Sequence, residues 1–374
     1  MKPVIKLLLI LLASVYFHSC EKDQEPLGPI PDQNFLNALI DLGVDTNGDS
    51  IISPAEAEAI TYLSISERNI SDLKGIEFFI NLDTLICSFN QLSSLNISNN
   101  TLLKCLWCSF NDLSSLDVTR NNALEYLRCA GNMLTTLDIS QNYELTVLQC
   151  HYNQLTTLDL INNGALEILW CADNNLGTLD ILNNYFLREL WCDNCQLAQL
   201  DISNNLNLIK LLCNENQLTD LDVSSHTDLY DLRCQGNQLT DLDIAYNCLL
   251  SFFDCDNNQI SELNVSNNSE LTFLSCSDNQ LSTLDVTNNI ELQILMCSGN
   301  QLTTLDLSNN NLLGTMDNYC SLDLDLSYMP TLFQVCVWIL PFPPTPPPGS
   351  WDCMKLVIDT TGSPNVYFTT ECSK

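Results

Sequence analysis

The chain has 374 residues, with 46 Asp and Glu against 13 Lys and Arg and a formal charge of −33. That balance sets it against nucleic acid, whose binding needs clustered Lys and Arg; it favours solubility and leaves room for divalent cations. With 45% of its residues hydrophobic, most of the chain can bury a core, which excludes disorder over most of its length.

Residues 1–19 read as a signal peptide. Lys2 and Lys6 supply the charged start, and Leu7 to Tyr16 is an apolar run too short to span a bilayer comfortably. Cys20 follows Ser19, which resembles a bacterial lipoprotein signal whose cysteine becomes the lipidated first residue. Phe17 and His18 depart from the usual Leu-x-small pattern. Residues 20–32 form an acidic tether, and its CEKDQE is similar to the surface-export signals of some Gram-negative outer-membrane lipoproteins. A plain solvated tether is the alternative. The expectation is an exported, surface-exposed outer-membrane lipoprotein that meets the membrane only through its lipid.

Residues 33–60 read as an N-terminal cap. FLNALIDL predicts a short entering helix and PAEAEAI an exiting one. Between them, DTNGDSIISPAE places Asp45, Asn47, Asp49, Ser53 and Glu56 at positions 1, 3, 5, 9 and 12 of an EF-hand-like calcium loop, with Ile51 at the backbone-carbonyl position. Ser50 stands where glycine is expected, at a cost of about 1 kcal/mol for positive φ. The competing reading is a capping box from Ser53 to Glu56. A calcium ion here would be structural, stiffening the cap.

From residue 61 to 337 the chain repeats. Alignment on a cysteine gives a 21-residue unit, Leu-x-x-Leu-x-Cys-x-x-Asn-x-Leu-x-x-Leu-Asp-apolar-x-x-Asn. The cysteine recurs eleven times, from Cys87 and Cys108 to Cys276 and Cys297. Cys195 breaks the first asparagine column and His226 the second. This unit resembles the leucine-rich repeat family in its 21-residue bacterial form, especially internalin-type surface proteins with a cysteine ladder. The resemblance implies a β-rich, right-handed superhelix of about 12–13 coils with capped ends and one strand per coil on a concave face. The physics agrees, since inward leucines and cysteines build a continuous core that no single unit could bury alone. Alternating segments such as Thr156 to Leu160 predict short extended pieces on the second arc.

The ladder cysteines occupy a leucine slot and act as small buried hydrophobes. Stacked thiols about 4.8 Å apart with parallel Cβ vectors fit disulfide geometry poorly. A redox relay or metal chain is the weaker reading.

Near Met316 to Ser327 the unit falls two residues short, and Leu332, Val335 and Val337 restart it. Residues 338–374 follow as a proline-rich loop, PFPPTPPPG, and a β cap. Cys336 sits in an outward column and can reach outside the core. Cys336, Cys353 and Cys372 are candidates for one disulfide, with Cys336–Cys372 favoured.

No nucleophile stands near an oriented base, and no phosphate loop or zinc spacing occurs, so the chain reads as a non-enzyme. Nine aspartates from Asp117 to Asp306 share an outward column whose repulsion, roughly 1 kcal/mol per adjacent pair, needs offsetting by flanking hydroxyls or bound cations. The informative column lies between the inward leucine and cysteine, where Trp107, Arg128, Gln149, Trp170, Trp191 and Arg233 fall; Tyr126 and His151 flank it. Exposed aromatics and arginines are common interface anchors, although stacking that braces the sheet is the alternative. The expected function is adhesion or protein–protein interaction on the concave face, with no nucleic-acid partner. The rivals are a glycan-binding accessory lipoprotein, with Trp170 and Trp191 as sugar platforms, and a structural envelope spacer.

Overall fold

The structure, a computed structural model, describes residues 30–315, 323–338 and 358–372. The signal, Cys20, the proline run and Cys353 lie outside those residues. Among the described residues no helix is long and apolar enough to cross a membrane.

Each unit yields a three-residue strand because apolar and variable positions alternate around the cysteine. In Cys105-Leu106-Trp107 the central leucine is sealed and its neighbours are half-buried. Strand β1 (Tyr62–Ser64) is followed by β2 (Thr84–Ile86) through β12 (Ile294–Met296), one every 21 residues, all parallel and in register. About eleven coils keep the 21-residue period. The sheet reaches fourteen strands by adding β14 (Leu324–Asp325) and β16 (Ile358–Asp359), and β13 (Thr304–Asp306), β15 (Gln334–Cys336) and β17 (Tyr367–Thr369) form a second sheet.

The interior is a stack of identical layers, with Leu106, Cys108, Leu113 and their repeats wholly buried. Each such leucine contributes roughly 1.5–3 kcal/mol relative to exposure. The asparagine after the cysteine ties coil to coil. Asn111 donates Nδ2–H to the carbonyls of Cys87 and Cys108, both at 3.1 Å, and its Oδ1 accepts from Leu92 N–H at 3.0 Å. The second column does likewise, Asn121 donating to Ile97 and Asn100 carbonyls at 3.1 and 2.8 Å. Both exceptions imitate the residue they replace. Cys195 Sγ–H donates to Cys171 O at 3.2 Å, and His226 Nε2 meets Ile202 O at 3.1 Å, each 24 residues back like the amides around it.

Among the described residues, the expected extended pieces on the second arc form a ladder only at β13, β15 and β17. Elsewhere the arc is held by single bonds such as Gln154 N–H to Leu134 O at 2.9 Å, and by asparagine Oδ1 atoms accepting the neighbouring leucine N–H. The amide takes the donor that a strand ladder would use.

The C-terminal slip runs opposite to the sequence expectation: the unit is not two residues short but carries eight extra residues. Leu324 pairs with Leu295, eight residues past the Met316 that a 21-residue period selects. The restart at Val335 and Val337 therefore belongs to the second sheet, where Val335 pairs with Leu305 and Cys336 with Asp306. Cys336 does occupy the outward column, but the cap covers it to 4% exposure, and it is bonded to Cys372 with a Cα–Cα distance of 5.5 Å.

At the other end, helices α1 (Gln33–Asp41) and α2 (Pro54–Glu58) cover the first coil. Asp32 caps α1 by accepting from Phe35 N–H at 3.0 Å, and its other oxygen accepts from Ser71 N–H at 2.7 Å, which pins the helix to the solenoid.

The outward aspartates are satisfied one at a time. Each accepts the backbone N–H two residues on, as Asp138 does from Ser140 at 3.0 Å and Asp159 from Ile161 at 3.0 Å; Asp117 also accepts the Thr119 hydroxyl. The hydroxyl two residues on, on one side only, and then the backbone N–H of that same turn hold the Asp117, Asp138, Asp201, Asp222 and Asp285 carboxyls below the usual range.

Candidate binding face

The concave sheet lifts one side chain per coil into register. Arg128 lies over Trp107, its Cζ 4.2 Å from the ring centroid. Gln149 follows, and then Trp170 and Trp191 stack at 3.8 Å with planes 7° apart. His151 tilts against Trp170 at 5.9 Å. Lys210 Nζ sits 5.0 Å from the Trp191 ring and 3.2 Å from Asp231. Arg233 grips the same Asp231 at 2.9 Å and lies 4.0 Å over Phe252, which stacks on Phe273 at 4.0 Å. Parallel strands in register, about 4.8 Å apart, leave adjacent planar side chains little choice but to stack.

The stacking decides what the tryptophans offer. Their indole Nε1 atoms are shielded and have no hydrogen-bond partner, so the exposed part of each half-buried ring is carbon. Trp170 and Trp191 cover one face of each other, Lys210 crowds Trp191, and Arg128 covers Trp107. A sugar platform needs an open ring face; Trp191 has both of its faces covered, and Trp107 and Trp170 have one each. His151 is held below the usual histidine range by burial, against the pull of Asp173, and is neutral at physiological pH.

Two features of this face escaped the sequence reading. The position two after the ladder cysteine turns left-handed in every coil from Phe89 to Gly299, and glycine, asparagine or aspartate fills most of these sites. Phe89, Phe110 and Tyr152 occupy it at φ of 56, 55 and 54°, a conformation costing a bulky residue about 1–2 kcal/mol. Phe89 and Phe110 stack at 4.7 Å and stand exposed on the rim, and a Cβ at the following Gly131 would strike Phe110 at 2.6 Å. The aromatic break in a turn-residue column was the available signal.

The second feature is a group of aspartates further along. Asp256 accepts the Ser275 hydroxyl at 2.7 Å and the Ser277 N–H; burial, with repulsion from Asp254 and Asp278, outweighs these bonds and lifts its pKa to about 6. Asp254 and Asp193 are raised by burial too.

The N-terminal loop residues are brought together in part. Asp45 accepts N–H groups from Gly48 and Ser50 at 2.7 and 2.8 Å, and Asp49 accepts from Ile51 at 2.8 Å. Ser50 adopts φ 64°, the turn that position demands. Glu56, however, has both oxygens engaged, one with Thr46 N–H and hydroxyl at 2.7 Å and the other with Ser53 N–H and hydroxyl at 2.9 Å. Burial alone would raise its pKa, and these bonds bring it down to about 2. The capping box is complete. Among the described residues, the sole group of three acidic, cysteine or histidine ligand atoms within 4.8 Å of one another is Asp306 with the bonded Cys336 and Cys372.

A parallel solenoid of about eleven 21-residue coils with a cysteine column and asparagine ties matches the fold of solved leucine-rich repeat structures, one of which has a cysteine ladder. The functional domain of InlJ from Listeria monocytogenes, which includes a cysteine ladder, is similar at 29% identity over 82% of this chain and 75% of that one, with a TM-score of 0.58. The internalin InlF of the same organism matches at 23% identity over 76% and 88%, with a TM-score of 0.70. A leucine-rich repeat protein of Leptospira interrogans matches at 23% identity over 70% and 78%, TM-score 0.59. No family model matches the chain, and no curated protein does either.

Proposed function

We propose that this chain is a non-catalytic binding protein that takes a protein ligand on its concave face while Cys20 anchors it by lipid at the cell surface. The observation that carries the reading is the ladder from Trp107 to Phe273, in which variable side chains of large contact area are lifted off an otherwise repetitive scaffold. The covered indole faces favour a protein over a glycan. Parallel screening of the purified ectodomain on protein and glycan arrays tests this. Protein hits with a blank glycan array are expected; glycan hits competed by free sugar would overturn it.

We further propose that Asp45, Asn47, Asp49, the Ile51 carbonyl, Ser53 and Glu56 bind a calcium ion that stiffens the cap. The donor set is all oxygen, as calcium requires, and Ser50 already makes the sharp turn. Glu56 must exchange its bonds to Thr46 and Ser53 for the ion.

A further inference from the structure

The charges on the concave face are not spread evenly. From Thr84 to Asn153, the strand residues and the four that follow each strand carry a single formal charge, Arg128. The same positions hold Phe89, Trp107, Phe110, Tyr126 and Tyr152. From Ile168 to Asn216 they carry Asp173, Glu189, Asp193 and Glu215 with Lys210, and from Asp231 to Asn279 they carry Asp231, Arg233, Asp254, Asp256 and Asp278, in each stretch four acids and one base. Arg233 is committed to Asp231, which also holds Lys210. Among the described residues, Arg128 makes no ion pair, and Asp254, Asp256 and Asp278 have no cation within ion-pair distance. The Arg128 Nε is shielded and unpartnered. A carboxylate near that guanidinium would meet an unpaired charge, and an ammonium or guanidinium near the three aspartates would meet acids offset only by the more distant attraction of Arg233 on Asp254.

We propose that the concave face binds an extended, charge-asymmetric polypeptide segment lying along the solenoid axis, with its acidic end over Arg128, its basic end at Asp254 and Asp256, and apolar side chains on the tryptophan edges between. This rests on the protein-ligand reading above and adds to it the partner's charge order. The scale is set by the register. Arg128 and Asp254 are six coils apart, about 29 Å at the strand spacing, which an extended chain covers in about nine residues. Burial in a group of like charges already raises the Asp256 carboxyl, a penalty that a cationic side chain relieves on binding.

Three synthetic peptides of about twelve residues test the idea, all sharing a Phe- and Leu-containing centre of about nine residues. One carries Glu at one end and Lys at the other, one Glu at both ends, and one Lys at both ends. Fluorescence anisotropy is read against wild type, Arg128→Glu, and Asp254→Lys with Asp256→Lys. Wild type should prefer the mixed peptide by about tenfold or more. Arg128→Glu should move the preference to the Lys-ended peptide, and the double aspartate variant to the Glu-ended one. Arg128→Gln and Asp256→Asn guard against misfolding and should blunt the preference without reversing it. Equal affinities in wild type, one ranking shared by all proteins, or no binding by any peptide would each overturn the proposal. If ranking is absent while array-identified proteins still lose binding to the Trp107→Ala, Trp170→Ala, Trp191→Ala variant, the charge order fails and the concave reading stands.

Discussion

Single side chains in this molecule are set by what the neighbouring coil leaves them. The ladder thiols are free and wholly buried, and burial pushes the Cys87 pKa up to about 12, so none is a nucleophile at neutral pH. Thiol labelling of the folded protein should leave all eleven unreacted, with full reaction after unfolding; mass mapping of disulfides between successive ladder cysteines would refute this. Cys171→Ser should cost about 1–3 kcal/mol in denaturant unfolding, because a hydroxyl buried there has only the Cys195 thiol beside its side chain, a poor partner. The carboxylates pull in two directions. Asp256, at about 6, and Asp254 and Asp193 bind protons more readily folded than unfolded, so they add stability on acidification, and it is lost as pH rises through about 6. Glu56, at about 2, and the outward aspartates do the opposite: their contribution is present above the usual carboxylate range and lost as pH falls. The melting temperature should therefore rise from pH 7 to about 5 and fall below about 4. Asp256→Asn should flatten the rise, and coincident wild-type and mutant profiles over that interval would show that this carboxyl is not the cause.

At the scale of elements, the N-terminal cap joins two claims that one experiment separates. Loss of the capping box in Glu56→Ala should cost about 0.5–2 kcal/mol in chelator alone. If the loop also binds calcium, the ion should raise the wild-type melting temperature by mass action, and Asp45→Ala should abolish that rise. Identical calcium responses of wild type and Asp45→Ala would leave the capping box as the sole role. The repeating elements were legible in the sequence because one residue type recurs wherever the scaffold imposes one environment: leucine and cysteine inside, asparagine where backbone carbonyls need a donor. The C-terminal end was not, because Leu324 regains the register only after an insertion, and residue periodicity cannot tell a concave strand from the β13–β15–β17 arc. On the candidate face, Trp107, Arg128, Trp170 and Trp191 were legible as departures from a column. Phe89 and Phe110 left only an aromatic break in a turn-residue column, and Asp256 left no signal: a left-handed backbone and the burial of a carboxyl between coils are products of stacking.

The whole molecule is a stack in which each coil touches only its neighbours, so its stability is close to a sum of coil and interface terms. Acids stand on both sides of it, in the aspartate turns of the outer arc and at Asp231, Asp254 and Asp256 inside the curve, where the cations stack on aromatics. Apolar side chains are also exposed away from the concave sheet, at Tyr185, Phe186 and Leu206, each more than half exposed, and they provide a matched control. The most direct measurement compares two triple variants, Trp107→Ala, Trp170→Ala, Trp191→Ala against Tyr185→Ala, Phe186→Ala, Leu206→Ala, for affinity toward an array-identified protein and for thermal stability. The concave variant should lose binding by about 2 kcal/mol or more per anchoring tryptophan, with a modest fall in stability of about 0.5–1.5 kcal/mol from the lost stack, while the outer variant binds like wild type. Undiminished binding by the concave variant, with its melting temperature sharply lowered, would mean that these tryptophans only brace the sheet.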